Sequence, residues 1–429
     1  MTNLHMKILL LGSGGREHCL ARKLSDSPHC ERLIVAPGNA GTSEIAVNID
    51  LDILDFEAVK KVVLDHEIDF VIVGPEAPLV HGIVDFFRLD PALRYIPVLG
   101  PDEEAAALEG SKSFAKAFMK KHSIPTAGYL EVTADNLTEG LRYLTELSPP
   151  YVLKADGLAA GKGVLILEDL EEAKQELRSM IDGKFGEASK KVVVEEFLDG
   201  IEFSVFVLTD GRQYVLLPEA KDYKRIGNGD TGLNTGGMGS VSPVSFFEGA
   251  FREKVIDRIV RPTIEGFEKD NLHYTGFVFF GLIRVNGEPF VIEYNCRMGD
   301  PETQSVVPRI KDDLLELCFD AAKGKLEPVS LDFLPQTACT IVTVAGGYPG
   351  SYRKGDEITG LEQVDCLVSH AGTTRSGSSI VTDGGRVLAV TALDDLPDQA
   401  MQTAMEAAGK IHYDGIYYRT DIGQDLLKL

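Results

Sequence analysis

The alternation of short apolar runs with amphipathic segments over the first hundred residues limits the fold more than any other feature of this sequence. Buried strands are predicted at residues 7–11, 33–35 and 70–73, and helical segments such as 56–66 separate them. Each run ends in a turn that contains glycine or proline, at residues 12–15, 36–41 and 74–78. Strands that alternate with helices form a parallel sheet, and ligands of such sheets bind at the carboxyl ends of the strands. The pattern therefore predicts an α/β unit with one ligand crevice.

The charge balance disfavours two classes of partner. The chain is long enough for roughly two to four domains, and its 43 lysines and arginines stand against 66 aspartates and glutamates. The formal net charge of -23 repels phosphate backbones and anionic lipid heads, so we expect neither nucleic acid nor a membrane as a partner. Any anion site must then be built from a few cations, local dipoles and metal.

The cysteines and the N-terminus favour a cytoplasmic protein. Six cysteines occur without a CxxC pair or a zinc-like spacing with histidine, which is typical of buried thiols in a reducing compartment. The first apolar run is too short for a signal peptide, and no run reaches the roughly 20 residues that span a bilayer. We therefore expect a cytoplasmic location.

The first turn predicts a phosphate site rather than a dinucleotide site. Gly12 and Gly14 follow a predicted strand, yet Glu17 stands where the third glycine of a dinucleotide fingerprint belongs. The second strand also lacks the acidic residue that would hold a ribose hydroxyl, which disfavours a nicotinamide-dependent oxidoreductase. What remains is a helix N-terminus at Gly14, Gly15 and Arg16, suited to one phosphate. A tight turn without a ligand is the alternative.

Two lysines flank a loop of small residues within 152–163. Lys154 lies on a predicted strand, and Lys162 comes near the end of the loop. A nucleoside triphosphate needs fixed positive charge and backbone amides that fold over its phosphates, and this segment offers both. The spacing differs from that of a Walker loop. A flexible surface hairpin with solvated lysines is the alternative.

The segment 192–202 leaves a predicted strand and turns, so its backbone can offer a carbonyl and an amide to the edge of an adenine. Glu202 can accept hydrogen bonds from ribose hydroxyls. Taken alone, the same pattern describes acidic residues that face water after a strand. Residues 227–239 are crowded with glycine, asparagine and threonine, which favours a loop that contacts substrate through its backbone. A disordered surface loop is the alternative there.

A predicted strand that carries Glu293 and Asn295 indicates a metal site. Residues two apart on a strand point to one face, so these side chains present oxygen ligands together, and Arg297 shares that face if the strand continues. Two hard oxygen ligands suit Mg²⁺, whose remaining positions go to water and phosphate. An arginine nearby can bind carboxylate or phosphate through two hydrogen bonds. A surface Glu–Arg pair on an edge strand is the alternative.

Six short motifs occur in a specific order along nearly the whole chain. They are Gly-Gly-Arg-Glu-His at 14–18, Ala-Pro-Gly-Asn-Ala-Gly-Thr at 36–42, Gly-Pro-Glu-Ala-Pro-Leu at 74–79, Lys-Ala-Asp-Gly-Leu-Ala-Ala-Gly-Lys-Gly at 154–163, Asn-Thr-Gly-Gly-Met-Gly at 234–239 and Asn-Cys-Arg-Met-Gly-Asp-Pro-Glu at 295–302. In this order they resemble the phosphoribosylamine–glycine ligases, a family of the ATP-grasp superfamily. The resemblance implies ATP, glycine and 5-phosphoribosylamine as substrates, Mg²⁺ or Mn²⁺ as the metal, and a glycyl phosphate intermediate in the second step of purine synthesis.

The resemblance also implies a fold class, α/β with an α+β lid. An ATP-grasp fold is expected after a Rossmann-like parallel-sheet domain and before a small mixed α+β domain. The expected boundaries are 1–105 for the N-terminal domain on the phosphoribosylamine side, 106–125 with 196–328 for the central ATP-grasp domain, 126–195 for its lid and 329–429 for the C-terminal domain. We expect a monomer, with a dimer as the alternative.

The family pattern implies roles for residues of this chain. Catalytic roles fall to Lys154, Asp222 and Arg297. ATP contacts are implied for Lys112, Lys154, Gly157, Gly161, Lys162, Gly163, Glu195, Glu196, Phe197, Leu198 and Glu202. Contacts to glycine and phosphoribosylamine are implied for Gly14, Gly15, Arg16, Asn39, Glu76, Asp222, Arg297, Gly299, Asp300 and Pro301. The metal is assigned to Glu293 and Asn295.

Two positions depart from the family pattern. Many ATP-grasp enzymes add an acidic metal ligand from the preceding strand, but residues 279–282 offer none. Leu233 stands where we expect proline in related ligases.

The nearest alternative function is another ATP-grasp carboxylate–amine ligase or carboxylase. The alternative from a different class is a nucleotide-binding regulatory module without turnover.

Overall fold

The N-terminal part of the chain folds into a parallel sheet with helices on both faces. The computed structural model describes residues 5–157, 163–186 and 190–428. The first elements are β1 Met6–Gly12, α1 Gly15–Ser25, β2 Cys30–Pro37, β3 Val47–Asn48, α2 Phe56–Asp65, β4 Phe70–Val73, α3 Glu76–Val80, α4 Ile83–Leu89, β5 Val98–Leu99 and α5 Glu103–Gly110. The strands pair in parallel in the order β3-β2-β1-β4-β5, which confirms the predicted α/β pattern. Ile8 and Leu10 pack into one apolar core and Leu9 and Leu11 into another, which explains why β1 is apolar throughout.

A four-stranded antiparallel sheet follows the helix α6, Lys112–Lys121. Its elements are β6 Tyr129–Val132, α7 Leu137–Glu146, β7 Tyr151–Ala155, β8 Val164–Leu167, α8 Leu170–Ile181 and β9 Val192–Glu195. The strands lie in the order β6-β9-β7-β8, and α7 and α8 cover one face with an apolar core of their own. We call this unit, residues 126–195, the small sheet domain.

The middle of the chain builds a second antiparallel sheet. Its elements are β10 Ile201–Thr209, β11 Tyr214–Leu216, β12 Lys221–Asp222, β13 Arg225–Gly227, β14 Thr231–Asn234, β15 Gly239–Ser242, α9 Gly249–Val255, α10 Arg261–Lys269, β16 Gly276–Val285, β17 Glu288–Asn295, α11 Glu302–Val306 and α12 Leu314–Ala322. The sheet order is β11-β10-β16-β17. The sequence predicts one helix over 251–268, but a π-helical stretch, Ile256–Val260, joins α9 to α10. Pro262 has no amide hydrogen to donate to the preceding turn, so the hydrogen-bond register changes before it.

The C-terminal part completes a sheet that it shares with the middle of the chain. Its elements are β18 Thr337–Val344, β19 Leu367–His370, β20 Thr373–Ser376, β21 Ser379–Thr382, β22 Arg386–Asp394 and α13 Pro397–Ala408. The sheet order is β12-β15-β18-β22-β19, so two of its five strands come from residues 221–242. The expected domain boundary at 328/329 therefore divides the chain between strands that belong to the same sheet. Within the described ranges, no helix is both long and apolar enough to cross a bilayer.

Two buried histidines join the N-terminal and C-terminal parts. The backbone N–H of His370 donates to Nδ1 of His18 at 2.8 Å, and Nδ1 of His370 lies 3.0 Å from Oγ1 of Thr373. Gly41 packs so tightly here that a Cβ atom would lie 2.2 Å from the His18 ring. Burial lowers the pKa of His18 to about 3 and the pKa of His370 to about 4. Both rings are therefore neutral at pH 7.

Acidification should weaken this interface. His18 has a pKa of about 3 in the fold, against about 6.5 in an unfolded chain. Its stabilising contribution is complete above pH 6.5 and is lost as the pH falls below that value, with a loss of about 2 kcal/mol at pH 5. We expect His18→Asn, which keeps an acceptor for the His370 N–H, to remove about that much of the pH dependence of unfolding.

Urea unfolding at pH 7.5 and pH 5.0 measures this difference, with circular dichroism as the signal because the chain has no tryptophan. His412→Asn is the control, since His412 is exposed, and it should lose as much stability in acid as the wild type. An equal loss in His18→Asn would contradict the assignment.

Candidate active site

Two buried lysines share one carboxylate at the edge of the small sheet domain. Nζ of Lys154 lies 2.9 Å from Oε2 of Glu195, and Nζ of Lys116 lies 3.3 Å from Oε1 of the same residue. Burial opposes the charge on Glu195, but the two lysines hold the pKa of its carboxyl below the ordinary value. Lys154 and Glu195 are predicted site residues, whereas the sequence analysis missed Lys116. Its spacing of four from Lys112 on a helix was the available signal, because such residues share a face.

Lys112 begins α6 at the point where β7 ends. Its Nζ donates to the carbonyl of Gly157 at 3.1 Å. Asp156 accepts hydrogen bonds from the Ser113 N–H and hydroxyl, both at 3.0 Å, and so attaches the end of β7 to the helix. Burial lowers the pKa of Lys112, while the nearby carboxylate of Glu293 opposes that shift. The helix start thus places a second ammonium group near Lys154.

The glycine-rich loop is described only at its two ends. Gly157 has a positive φ of 132°, and the carbonyl of Gly163 accepts the Ala155 N–H at 2.8 Å. Gly161 and Lys162, which the sequence analysis also assigned to ATP, lie outside the described residues. The two described ends lie next to Lys112 and Lys154, respectively.

The segment predicted to contact adenine follows β9. The N–H of Glu196 donates to the carbonyl of Gly128 at 3.0 Å, and the Gly128 N–H donates to Oε1 of Glu196 at 2.8 Å. The amide of Glu196 is therefore engaged within the protein. The side chain of Phe197 is exposed and that of Leu198 is half-buried. An apolar surface beside a backbone edge suits the flat face and polar rim of a base.

Glu202 and Asp222 share one ammonium group. Nζ of Lys224 lies 2.9 Å from Oε2 of Glu202 and 3.1 Å from Oδ1 of Asp222. Lys224 holds the pKa of Glu202 below its ordinary value. Burial opposes the charge on Lys224, but the two carboxylates raise its pKa well above the ordinary value. Glu202 and Asp222, assigned separately from the sequence, therefore form one charged cluster with a residue that was missed.

Glu293 and Asn295 lie two apart near the end of β17, as the sequence predicts. Glu293 is exposed and Asn295 is buried. Gly281 pairs opposite Glu293, and a Cβ atom on it would lie 2.9 Å from Cγ of Glu293. The glycine leaves room for the carboxylate and contributes no acid of its own. Within the part of the chain that the structure describes, no cluster of three histidine, cysteine or acidic side chains could hold a metal ion.

Two oxygen donors fit Mg²⁺ when the metal arrives with its phosphate ligands. The charge of Glu293 opposes the effect of burial on the pKa of Lys112 and contributes to the raised pKa of Lys224, so both ammonium groups lie near Glu293. This placement is the one that a metal-bound polyphosphate needs.

Arg297 does not lie on the strand, because β17 ends at Asn295, so the condition under which Arg297 would share the face of Glu293 and Asn295 is not met. Glu109 of α5, whose side chain is 7% exposed, holds the guanidinium instead: Nη2 of Arg297 donates to its Oε1 at 2.6 Å. The other oxygen accepts the Cys296 N–H at 2.8 Å. Nε of Arg297 also lies 3.3 Å from Oε2 of Glu76. Burial raises the pKa of Glu109 despite Arg297, whereas Arg297 overcomes burial and lowers the pKa of Glu76.

Glu17 occupies part of the first turn, where the sequence predicts a phosphate site. Oε2 of Glu17 accepts the Gly14 N–H at 2.7 Å, and its other oxygen accepts Nε–H of Arg16 at 2.6 Å. The carboxylate fits because Gly12 and Gly74 have no side chains; a Cβ on Gly74 would lie 2.2 Å from Oε1 of Glu17. The Gly14 amide is therefore engaged by Glu17, and a contact of Gly14 with phosphate stays a prediction. A carboxylate at the third helical position is a capping-box signal that the sequence did carry.

Asn39 supports the turns rather than offering a free amide. Its Oδ1 accepts the N–H groups of Gly41 and Thr42 at 2.9 and 3.0 Å. Its Nδ2 donates to the carbonyls of Ser13 and His370 at 2.8 and 2.7 Å. The side chain is fully hydrogen-bonded within the protein, and a direct contact of Asn39 with the sugar substrate stays a prediction. Asn39 connects the first turn, the second turn and the C-terminal part.

Arg386 of β22 connects three segments beside the first turn. Its Nη1 donates to the carbonyls of Gly236 and Asp300 at 2.7 and 2.6 Å, and its Nη2 lies 3.1 Å from Oδ2 of Asp300. Pro301 packs against Gly237, whose φ is 117°. The glycine motif at 234–239 thus allows a close approach between this loop and the turn at 299–301. Arg386 is not among the residues predicted from the sequence.

Glu302 is a buried carboxyl in the same region. It is 4% exposed, and its Oε1 lies 3.5 Å from the Ser204 hydroxyl. Burial and the nearby charge of Asp222 raise the pKa of Glu302 above its ordinary value. A Cβ on Gly299 would lie 2.4 Å from Oε2 of Glu302, which explains the glycine in that turn. The carboxyl interacts electrostatically with both the Asp222 cluster and Arg297.

These groups form one continuous site between the N-terminal sheet, the small sheet domain and the central sheet. Lys112 interacts electrostatically with Lys154 and Glu293, and Nε of Arg297 lies 3.3 Å from Oε2 of Glu76, which follows β4. Glu17 packs against Gly12 and Gly74 at the ends of β1 and β4. Such an arrangement can hold a metal-bound polyphosphate at one end and a second anionic substrate at the other. It offers positioning and charge neutralisation.

Comparison with protein families matches the chain along most of its length. The N domain of phosphoribosylglycinamide synthetase matches residues 6–109, its ATP-grasp (A) domain matches 110–303 and its C domain matches 338–425.

Individual relatives cover the whole site. A phosphoribosylamine–glycine ligase of Vibrio cholerae is 45% identical over 425 residues, which cover 97% of this chain and 98% of the relative. The crystal structure of a phosphoribosylamine–glycine ligase of Thermotoga maritima is 36% identical, covers 97% of this chain and 100% of that chain, and has a TM-score of 0.83. The biotin carboxylase domain of Hydrogenobacter thermophilus 2-oxoglutarate carboxylase, solved with MgADP, ADP and bicarbonate, has a TM-score of 0.72 over 96% of this chain and 92% of that chain. At 16% identity, it is evidence of a shared fold alone.

Proposed function

Because the chain belongs to the phosphoribosylglycinamide synthetase family, we infer that it is the ATP-dependent enzyme that ligates glycine to 5-phosphoribosylamine in purine biosynthesis. The observation that carries this conclusion is the family match across all three parts of the chain, together with a site that those parts build jointly. The products are glycinamide ribonucleotide, ADP and phosphate.

We propose a glycyl phosphate intermediate. A carboxylate oxygen of glycine attacks the γ-phosphorus of ATP and ADP leaves, and the amine of phosphoribosylamine then attacks the acyl carbon. The nitrogen loses a proton, the amide bond forms, and phosphate leaves with the former glycine oxygen. No protein nucleophile is needed, because positioning and charge neutralisation serve both steps.

We assign the ATP end of the site to the small sheet domain and α6. Lys154 and Lys112 hold the phosphates, the backbone after β9 faces the adenine, and Glu202 faces the ribose. Glu293 and Asn295 would hold Mg²⁺, or alternatively Mn²⁺, which neutralises phosphate charge when bound. The exposed Glu293 beside Lys112 supports this assignment.

We assign the other end to the two organic substrates. Arg297 neutralises charge on the reacting carboxylate and phosphate, and Glu109 holds it in place. Arg16, Gly15 and Glu76 adjoin the crevice where we place phosphoribosylamine. Asp222 and the turn at 299–301 are our proposal for the site of glycine and the incoming amine.

Two broader proposals follow from the whole chain. We propose a monomer, which sedimentation equilibrium distinguishes from a dimer. Six free cysteines support a working place in the reducing cytoplasm.

Product analysis tests the function directly. The purified protein should release ADP from MgATP only when glycine and phosphoribosylamine are both present, and glycinamide ribonucleotide should accumulate in equal amount. ADP release with bicarbonate or D-alanine in place of glycine would favour another ATP-grasp ligase or carboxylase and contradict the glycine assignment.

A further inference from the structure

Lys116 is a buried charge that the proposed reaction does not use. Its side chain is 2% exposed, in the middle of α6. An ammonium group removed from water is costly unless it is hydrogen-bonded and paired. The contacts that compensate for this cost indicate what the residue does.

Lys116 contacts both segments through which the chain enters and leaves the small sheet domain. At the first segment, Nζ donates to the hydroxyl of Thr126 at 2.7 Å and to the carbonyl of Ala127 at 3.4 Å. Thr126 donates onward to the carbonyl of Val291 at 2.7 Å, which attaches this segment to β17. At the second segment, Nζ lies 3.3 Å from Oε1 of Glu195, the last residue of β9.

Glu195 links Lys116 to Lys154 through its two carboxylate oxygens. One carboxylate oxygen faces Lys116 and the other faces Lys154 at 2.9 Å, so the orientation of the carboxylate is set from both sides. Without Lys116, one oxygen of the Glu195 carboxylate has lost its ion pair, so the carboxylate can rotate. The Lys154 ammonium is then paired with a carboxylate that is no longer held in one orientation.

We propose that Lys116 is a positioning residue that acts through Glu195 to set where the Lys154 ammonium stands, and thereby determines the affinity for ATP rather than for glycine. The inference rests on the proposed contact of Lys154 with the ATP phosphates. It requires no contact between Lys116 and any substrate.

The same residue makes ATP binding sensitive to alkaline pH. Burial lowers the pKa of Lys116 to about 8 against the opposing effect of Glu195, and the other groups that face it are Lys154, Glu196 and Tyr129. As the pH rises from 7 to 9, Lys116 loses its charge and Glu195 loses one of its two cations. Lys116→Arg keeps that charge across this range, because an arginine stays protonated.

Three variants test the proposal. Lys116→Met should raise the KM for ATP about tenfold, the effect of losing a charged hydrogen bond, while the KM for glycine stays within about twofold. Lys120→Met is the control, because Lys120 is exposed and lies one turn further along α6. Its KM values for ATP and glycine should match those of the wild type. Lys116→Arg should restore most of the ATP affinity and should flatten the rise in the KM for ATP between pH 7.5 and pH 9.

Calorimetric binding of a non-hydrolysable ATP analogue repeats each comparison without turnover. Loss of the ligase reaction in the wild type would contradict the proposed function, whereas the analogue data judge Lys116 by themselves. Thermal unfolding checks the fold of each variant, and if Lys116→Met does not fold, the pH profile of Lys116→Arg decides. Equal changes in the KM values for ATP and glycine, or a wild-type pH profile in Lys116→Arg, would overturn the proposal.

Discussion

Replacing Arg297 with lysine should lower kcat for glycine-dependent ADP release by about a hundredfold to a thousandfold, the effect of removing one preorganised charge donor. Lysine keeps the charge but loses the planar fork that reaches Glu109 and Glu76 together with a ligand oxygen. The guanidinium is held at 2.6 Å by a buried carboxylate, so it is placed before substrates arrive. Steady-state ADP release, measured with saturating glycine and phosphoribosylamine, reports the change.

Arg212→Lys is the matched control, because the Arg212 side chain is 78% exposed and lies outside the site. It should retain wild-type kcat. If Arg297→Lys kept more than a third of the wild-type kcat while folding normally, the planar guanidinium would not be required for the charge neutralisation that we assign to Arg297.

Replacing Lys154 with methionine should lower kcat/KM for ATP by about a hundredfold or more, because the ammonium group neutralises charge that develops on the transferred phosphate. Glu195 keeps Lys116 as a cation in this variant, so the fold should survive. ADP release and analogue binding measured in parallel separate two functions: an enzyme loses turnover, whereas a regulatory module without turnover changes only its nucleotide affinity.

Lys61→Met provides the comparison for Lys154→Met, since the Lys61 side chain is 75% exposed on α2. Both variants should unfold at temperatures close to the wild type. Undiminished ADP release in Lys154→Met would remove this lysine from the phosphate site and would also withdraw the basis of the role proposed for Lys116.

The sequence predicts local features of the site well, because they depend on residues close together in the chain. The strand period alone predicts that Glu293 and Asn295 lie on one face of a strand, β17. The alternation of strands and helices alone predicts the parallel sheet. Arg297 does not lie on this strand, and the reason is also local. The chain turns at 296–299, and the backbone N–H of Cys296 is held by a carboxylate rather than by a neighbouring strand.

The partners of the site residues could not be predicted in this way. Glu109 stands 188 residues from Arg297, and nothing in the period of α5 distinguishes it from a solvated acid. Arg386 reaches Gly236 across 150 residues. Such pairs depend on how the domains pack, which one sequence does not reveal. The sharing of the C-terminal sheet with residues 221–242 has the same cause.

Isotope transfer from glycine tests the central claim most directly. With glycine that carries ¹⁸O in both carboxylate positions, the proposed reaction leaves one ¹⁸O in each inorganic phosphate released and the other in the amide of glycinamide ribonucleotide. Mass spectrometry of the phosphate should show one heavy oxygen per molecule in a reaction that contains ATP, glycine and phosphoribosylamine. Phosphate without ¹⁸O, formed alongside the same amide product, would contradict a glycyl phosphate intermediate.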